Sequence, residues 1–147
     1  MLSLRQRLTR DEGFTLIELL VVLIIIGILL AIAIPSYLGF QKKAQQTAAM
    51  SDVRSAIPDA EAYYSDNNSY TGMTAAGLRT TYDSGMQVVG VAGATQGISK
   101  AVPGAGGAQT YCISAVVSGH WAYVNGPGGQ VLNGDTQNPV VAADPCP

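Results

Sequence analysis

Few side chains in this sequence are placed to do chemistry, and one of them is a carboxylate where water should be absent. Glu18 lies in an apolar run that carries no other charge from Phe14 to Pro35. A charge in a membrane helix costs on the order of 2.5–3.5 kcal/mol near the centre on insertion scales, and less toward an end. Such groups normally have a partner, yet this run holds no Lys, Arg or His. A cut between Gly13 and Phe14 would supply one. The new α-amino group would stand four residues before Glu18, on the same helix face. The helix dipole also favours an anion in the first turn. Amine and carboxylate could meet within one chain or between copies, and such a pair works best as a register device between packed identical helices.

The other candidates for chemistry are sparse. Cys112 and Cys146 make an even cysteine count behind an export-like amino terminus, which suggests one disulfide formed in an oxidising compartment; two free buried thiols are the alternative. His120 is the only histidine and has no second ligand beside it, so a metal site is not expected. "PGAGGA" (residues 103–108) lacks the Lys-Ser/Thr of a phosphate loop. Asp66-Asn67-Asn68-Ser69 offers oxygens, but a calcium loop needs more carboxylates and a defined glycine. No nucleophile stands beside an obvious base, so neither catalysis nor a cofactor nor a small-molecule substrate is expected. Tyr63, Tyr64, Tyr70 and Tyr82 cluster where Lys and Arg are scarce, which reads as a packing group and not a base-stacking platform.

These residues sit on a chain of two characters. The 147 residues are 12% charged and 48% apolar, with net charge −2 and no block of like charge, so the composition carries no nucleic-acid footprint. Arg5, Arg7 and Arg10 precede the apolar run. Ala31-Ile32-Ala33 resembles a signal-peptidase site, but the run is too long for an ordinary signal peptide. Phe14 to Ile34 is 21 residues, about 31 Å of helix, which matches a bilayer core of about 30 Å. The basic flank orients residues 1–13 to the cytoplasm. Beyond Pro35 the chain turns amphipathic. Met50, Val53, Ile57, Ala60 and Tyr64 form one stripe, Pro58 predicts a kink without a stop, and "SDNNSYTG" (65–72) ends the helix. A helix from Phe14 to about Asn67 would be roughly 80 Å long, more than a small domain can cover.

Gly13-Phe14-Thr15-Leu16-Ile17-Glu18, followed by the apolar run and Pro35, resembles the class III signal of type IV pilins and of type II secretion pseudopilins. The resemblance implies cleavage between Gly13 and Phe14 by a prepilin peptidase, N-methylation of Phe14, and a subunit-docking role for Glu18. It places a helix kink at Pro35. The implied partners are copies of the chain itself, the prepilin peptidase, the assembly platform with its ATPase, and the inner membrane before assembly. The implied destination is a cell-surface filament, with a secretion pseudopilus as the alternative. A DNA-binding minor pilin is a third reading, opposed by Arg79 and Lys100 being the only basic residues beyond the helix.

From Met73 onward short alternating runs predict strands at 86–92, 111–117 and 120–125, with weaker ones at 97–102 and 129–134. Ser118-Gly119 predicts a tight hairpin turn, and 103–108 and 125–129 predict loops. The expected fold is α+β: a long amino-terminal helix, kinked near Pro35 and Pro58, packed on a small antiparallel sheet. The expected segments are a leader (1–13), an apolar membrane and assembly helix (14–35), its amphipathic continuation (36–67) and a β-rich head (68–147). A Cys112–Cys146 bridge would resemble the disulfide-closed carboxy-terminal loop of many pilins.

Overall fold

A computed structural model of the chain describes residues 13–134 and Cys146. Most of the expected leader with its arginines, residues 135–145 of the tail, and Pro147 lie outside the described residues. The chain divides into two compact units, residues 1–39 and 40–147.

Helix α1 spans Leu16–Asn67. Leu, Ile and Ala dominate its first half, and Ala and Gln recur in the second, so propensity favours helix over nearly its whole length. Pro35 and Pro58 both fall inside it, and helical backbone continues on either side of each. Each proline removes one amide donor from the helical ladder without ending the element. At the far end Asn68 takes a left-handed φ of 51° and donates its amide to the Tyr64 carbonyl at 2.7 Å. Asn67 Nδ2 caps the Tyr63 carbonyl at 2.9 Å. Asparagine tolerates this conformation and satisfies the orphan carbonyls of the last turn.

In the second unit α1 buries Ala49, Val53, Ala56 and Ala60 completely, with Met50, Ile57, Tyr63 and Tyr64 packed at the margins. The expected stripe shares Val53 and Ala60 with this face. The observed face is turned toward the alanines, because small side chains let the sheet approach the helix while larger ones fill the edges.

A short helix α2, Ala75–Thr81, follows, started by Thr74 Oγ1 accepting the Gly77 amide at 3.1 Å. Sequence periodicity did not reveal it, since seven residues give less than two turns of pattern. The sheet is four strands in the order β1-β2-β3-β4, all antiparallel: β1 Gly97–Gly104, β2 Gly107–Val117, β3 His120–Gly126 and β4 Leu132–Asn133. The Ser118-Gly119 turn is present, and both residues have positive φ (51° and 83°), the geometry that matches strand twist in a two-residue hairpin.

Two expectations need correction. Residues 86–92 form no strand; they make one isolated parallel bridge, Val88 to Ile98. Left-handed backbone at Gly90, Ala92 and Gly93 then turns the chain away before a ladder can grow. Residues 103–108 are not a free loop: Pro103 and Gly104 end β1, and Gly107 and Ala108 begin β2. Proline fits there because β1 is an edge strand at a register shift.

The central strand β2 is buried on both faces from Tyr111 to Ala115. Tyr111, Ile113 and Ala115 join the core with α1, together with Ala122, Val124, Ile98 and Ala101. The alternate residues Cys112 and Ser114 face the other way. There Cys112 is bonded to Cys146, and Lys100 Nζ donates to the Cys146 carbonyl at 3.0 Å.

Tyrosines fix α1 to this sheet. Glu61 of α1 accepts the Tyr70 hydroxyl on Oε2 at 3.0 Å and the Tyr111 hydroxyl on Oε1 at 3.1 Å. The rings of Tyr64, Tyr70 and Tyr111 follow one another at centroid distances of 4.8 Å. The Tyr111 ring lies over Gly126, its cross-strand partner, where any Cβ would strike the ring. Tyr64 donates to Gln109 and Tyr82 to Asp66. Burial, and then Glu61, push the Tyr70 hydroxyl up to about 12 and raise that of Tyr111 as well.

Two outcomes follow. Both tyrosine pKa values are raised on folding, so their contribution is intact below the unfolded value of about 10 and is lost as pH rises above it. Alkaline titration followed by circular dichroism should show cooperative loss of the head between about pH 10 and 12, and Tyr70→Phe with Tyr111→Phe should move that transition upward. Replacing Cys112 and Cys146 by serine opens a loop with sequence separation 34. This should destabilise the head by about 2–5 kcal/mol, read as a lower denaturant midpoint.

Candidate functional site

The first turn of α1 gathers the residues that sequence chemistry singles out. Gly13 and Phe14 are exposed and precede the helix, and Phe14 keeps 76% of its surface open. The peptide bond between them therefore lies outside the helix. Thr15 is the residue at which the helix begins. The Glu18 and Leu19 amides donate to the Thr15 carbonyl at 3.1 and 3.2 Å.

Thr15 and Glu18 close on each other. The Glu18 amide donates to Thr15 Oγ1 at 3.3 Å, while the Thr15 amide donates to Glu18 Oε2 at 3.5 Å. The Thr15 hydroxyl also donates to Oε2, at 3.3 Å. This is a reciprocal capping box, Thr-x-x-Glu, in which two orphan amides of the helix start are satisfied together. The bonds are long, and Oε1 has no partner among the described residues. Glu18 is thus aimed toward the amino terminus by its neighbour, with one oxygen open and no cation against it among the described residues. Sequence reasoning singled out Glu18 and passed over Thr15, although the four-residue signature was legible.

The structure closes Thr15 and Glu18 on each other in one turn, with Gly13 and Phe14 immediately before it. Pro35 and Pro58 lie farther along α1, and Cys112 and Cys146 are joined in the head. His120 opens β3 opposite Val117. Among the described residues no group of three or more His, Cys, Asp or Glu stands together as a metal site. Arg79 Nε donates to the Met86 carbonyl at 2.9 Å, so both basic residues beyond α1 are tied to backbone oxygens of the head.

From Leu16 to Ile34 the large apolar side chains point into open space, with exposures from 46% at Ile26 to 82% at Leu16. The helix is long and apolar enough to cross a membrane.

Comparison with known proteins falls on this same segment. Residues 8–34 match the prokaryotic N-terminal methylation motif. The type IV wide pilus major component PilA4 of Thermus thermophilus is 46% identical over 74 residues, which are 48% of this chain and 56% of that protein. The type IV major pilin PilA of Myxococcus xanthus is 40% identical over 62 residues, 42% of this chain and 28% of PilA. The type II secretion system core protein G of Aeromonas hydrophila is 41% identical over 61 residues, 42% of this chain and 43% of that protein. The matches thus span about half or less of each relative's length. No solved structure matches the chain significantly. With its methylation motif on a long amino-terminal helix and a small antiparallel sheet behind it, the chain is a type IV pilin-like protein.

Proposed function

We propose that this chain is the structural subunit of an extracellular type IV pilus, made as a single-span membrane precursor and polymerised through α1. The observation that carries the reading is the uncovered apolar face of α1. The described chain leaves it bare, so lipid must cover it before assembly and other helices after it. The exposed, non-helical Gly13–Phe14 bond is the proposed cleavage point for a prepilin peptidase, with Phe14 then N-methylated. The partners are other copies, that peptidase, and an assembly platform with its ATPase. Pro35 and Pro58 are the proposed points of bending.

In this mechanism the cut supplies an amine next to an already oriented carboxylate. The capping box holds Glu18 through hydrogen bonds but leaves its charge for an amine of the same or a neighbouring chain. Docking of a newly extracted subunit is then set by where that pair can form.

A type II secretion pseudopilin is the second reading, supported by the likeness to core protein G. Uptake of DNA has less support, because Arg79 and Lys100 are engaged within the head.

Glu18→Gln separates the two roles of the residue, since glutamine at this position keeps the capping box and removes the charge. Both Glu18→Ala and Glu18→Gln should leave a processed, membrane-held subunit with filament yield reduced about tenfold or more, measured in sheared surface material. Normal assembly of the glutamine variant would limit Glu18 to capping. Mass spectrometry of the mature chain should begin at a methylated Phe14. Electron microscopy of the same material distinguishes long pili from a short secretion piston.

A further inference from the structure

Within the second unit, α1 carries its charges in two groups. Lys42 and Lys43 are exposed and precede Ala49, the first buried residue of the head. The acids come later. Glu61 and Asp66 accept tyrosine hydroxyls, and Asp59 lies near Asp83 with Oδ2 buried and without a hydrogen-bond partner among the described residues. Asp52 is different. It lines an open cavity of about 460 Å³ with Ala48, Gln87, Thr95, Gln96 and Val117, and its carboxylate has no partner among the described residues. Partial burial raises its pKa. A desolvated anion without a counter-charge is a standing electrostatic cost that an ammonium group would relieve.

Among the described residues no cation of the same chain is placed to provide it. Arg79 and Lys100 donate to backbone carbonyls. Arg54 is two residues along the helix, on a different face. Lys43 is nine residues back, which is about two and a half turns and about 14 Å of rise. It therefore stands on the side of α1 opposite Asp52, beyond the reach of its own side chain. Opposite faces are what a parallel, head-to-tail contact between copies brings together, because one chain's front meets the next chain's back. Besides Asp52, the residues that line the cavity include Thr95, Gln87 and Gln96, whose side chains carry oxygens able to accept from an ammonium group.

We propose that in the assembled filament the Lys43 ammonium of one copy enters the Asp52 cavity of a neighbouring copy, the two helices being parallel and displaced by about 14 Å along their axes. The pairing rests on the polymerisation reading and adds a register to it. An unstaggered pair leaves both charges unmatched.

The test uses sheared filaments of the wild-type chain and a zero-length carbodiimide, which joins an amine to a carboxylate only where they touch. Peptide mass spectrometry should find a Lys43–Asp52 isopeptide. Filaments that cross-link at other pairs and never at this one overturn the proposal while leaving polymerisation intact. As a second arm, Lys43→Glu and Asp52→Lys should each lower filament yield about tenfold through like-charge contact, and the combined swap should restore it to within about threefold. Formation of the Cys112–Cys146 bond in membrane-held subunits reports that each variant folds. Single variants that assemble like the wild type overturn the pairing alone. A wild-type chain that forms neither filament nor pseudopilus overturns polymerisation and the pairing together.

Discussion

A helix that buries one end in a head and leaves the other bare creates a free-energy problem that a single chain does not solve. Each large aliphatic side chain kept from water is worth about 1.5–3 kcal/mol, and those from Leu16 to Ile34 lie roughly half open or more. A lipid bilayer or a bundle of like helices would each cover these side chains, as the proposed membrane precursor and filament require. Much else in the chain is subordinate to this problem. The sheet of the head is held from the far side by Cys112–Cys146 and by Lys100 on the Cys146 carbonyl. A domain of this size gains from a covalent closure what a larger core would otherwise supply.

The capping box at Thr15 and Glu18 shows how a polar group is accommodated at the edge of that apolar segment. The hydrogen-bonding demand of the helix start is met locally, by two side chains within a single turn. The Coulombic demand is not. Hydrogen bonds from an amide and a hydroxyl orient a carboxylate without neutralising it, and in apolar surroundings the unpaired charge costs more than those bonds return. The same side chain therefore caps the helix within one chain, and its charge is left for the amine of the proposed docking pair.

Much of this was legible in the sequence, and the misses have physical reasons. The long helix, the Ser118-Gly119 turn and strands β2 and β3 follow from periodicity and turn chemistry. The stripe on α1 was misread by about one position, because Met50 and Ile57 are the more hydrophobic residues while Ala49 and Ala56 are the ones the sheet can approach. Residues 86–92 have strand composition but run into left-handed backbone at Gly90, Ala92 and Gly93, and composition does not report φ. The 103–108 segment has loop composition, yet an edge strand tolerates Pro103 and a hairpin uses Gly107. Glu61 lies off the apolar stripe and carries no local signal of its role. Its two tyrosine partners lie 9 and 50 residues away, a pairing no local pattern encodes.

That pairing bears on the proposed contact of α1 with other copies. Ala49, Ala56 and Ala60 give a smooth contact with the sheet, and a smooth contact alone would tolerate rotation of the helix about its axis. One residue of slip is about 100° of rotation. Glu61 forbids it, since each of its oxygens accepts a hydroxyl from a different element, Tyr111 from β2 and Tyr70 from the segment after α1. Breaking both bonds at once would leave buried hydroxyls unsatisfied. The alanines thus let the sheet come close, and the tyrosines decide which side of α1 it covers. The remaining side, with Lys43 toward one margin and the Asp52 cavity at the other, is fixed as a consequence. A filament contact that depends on which face of a helix is free needs the head to hold that helix at one angle, and the Glu61 seam is what holds it.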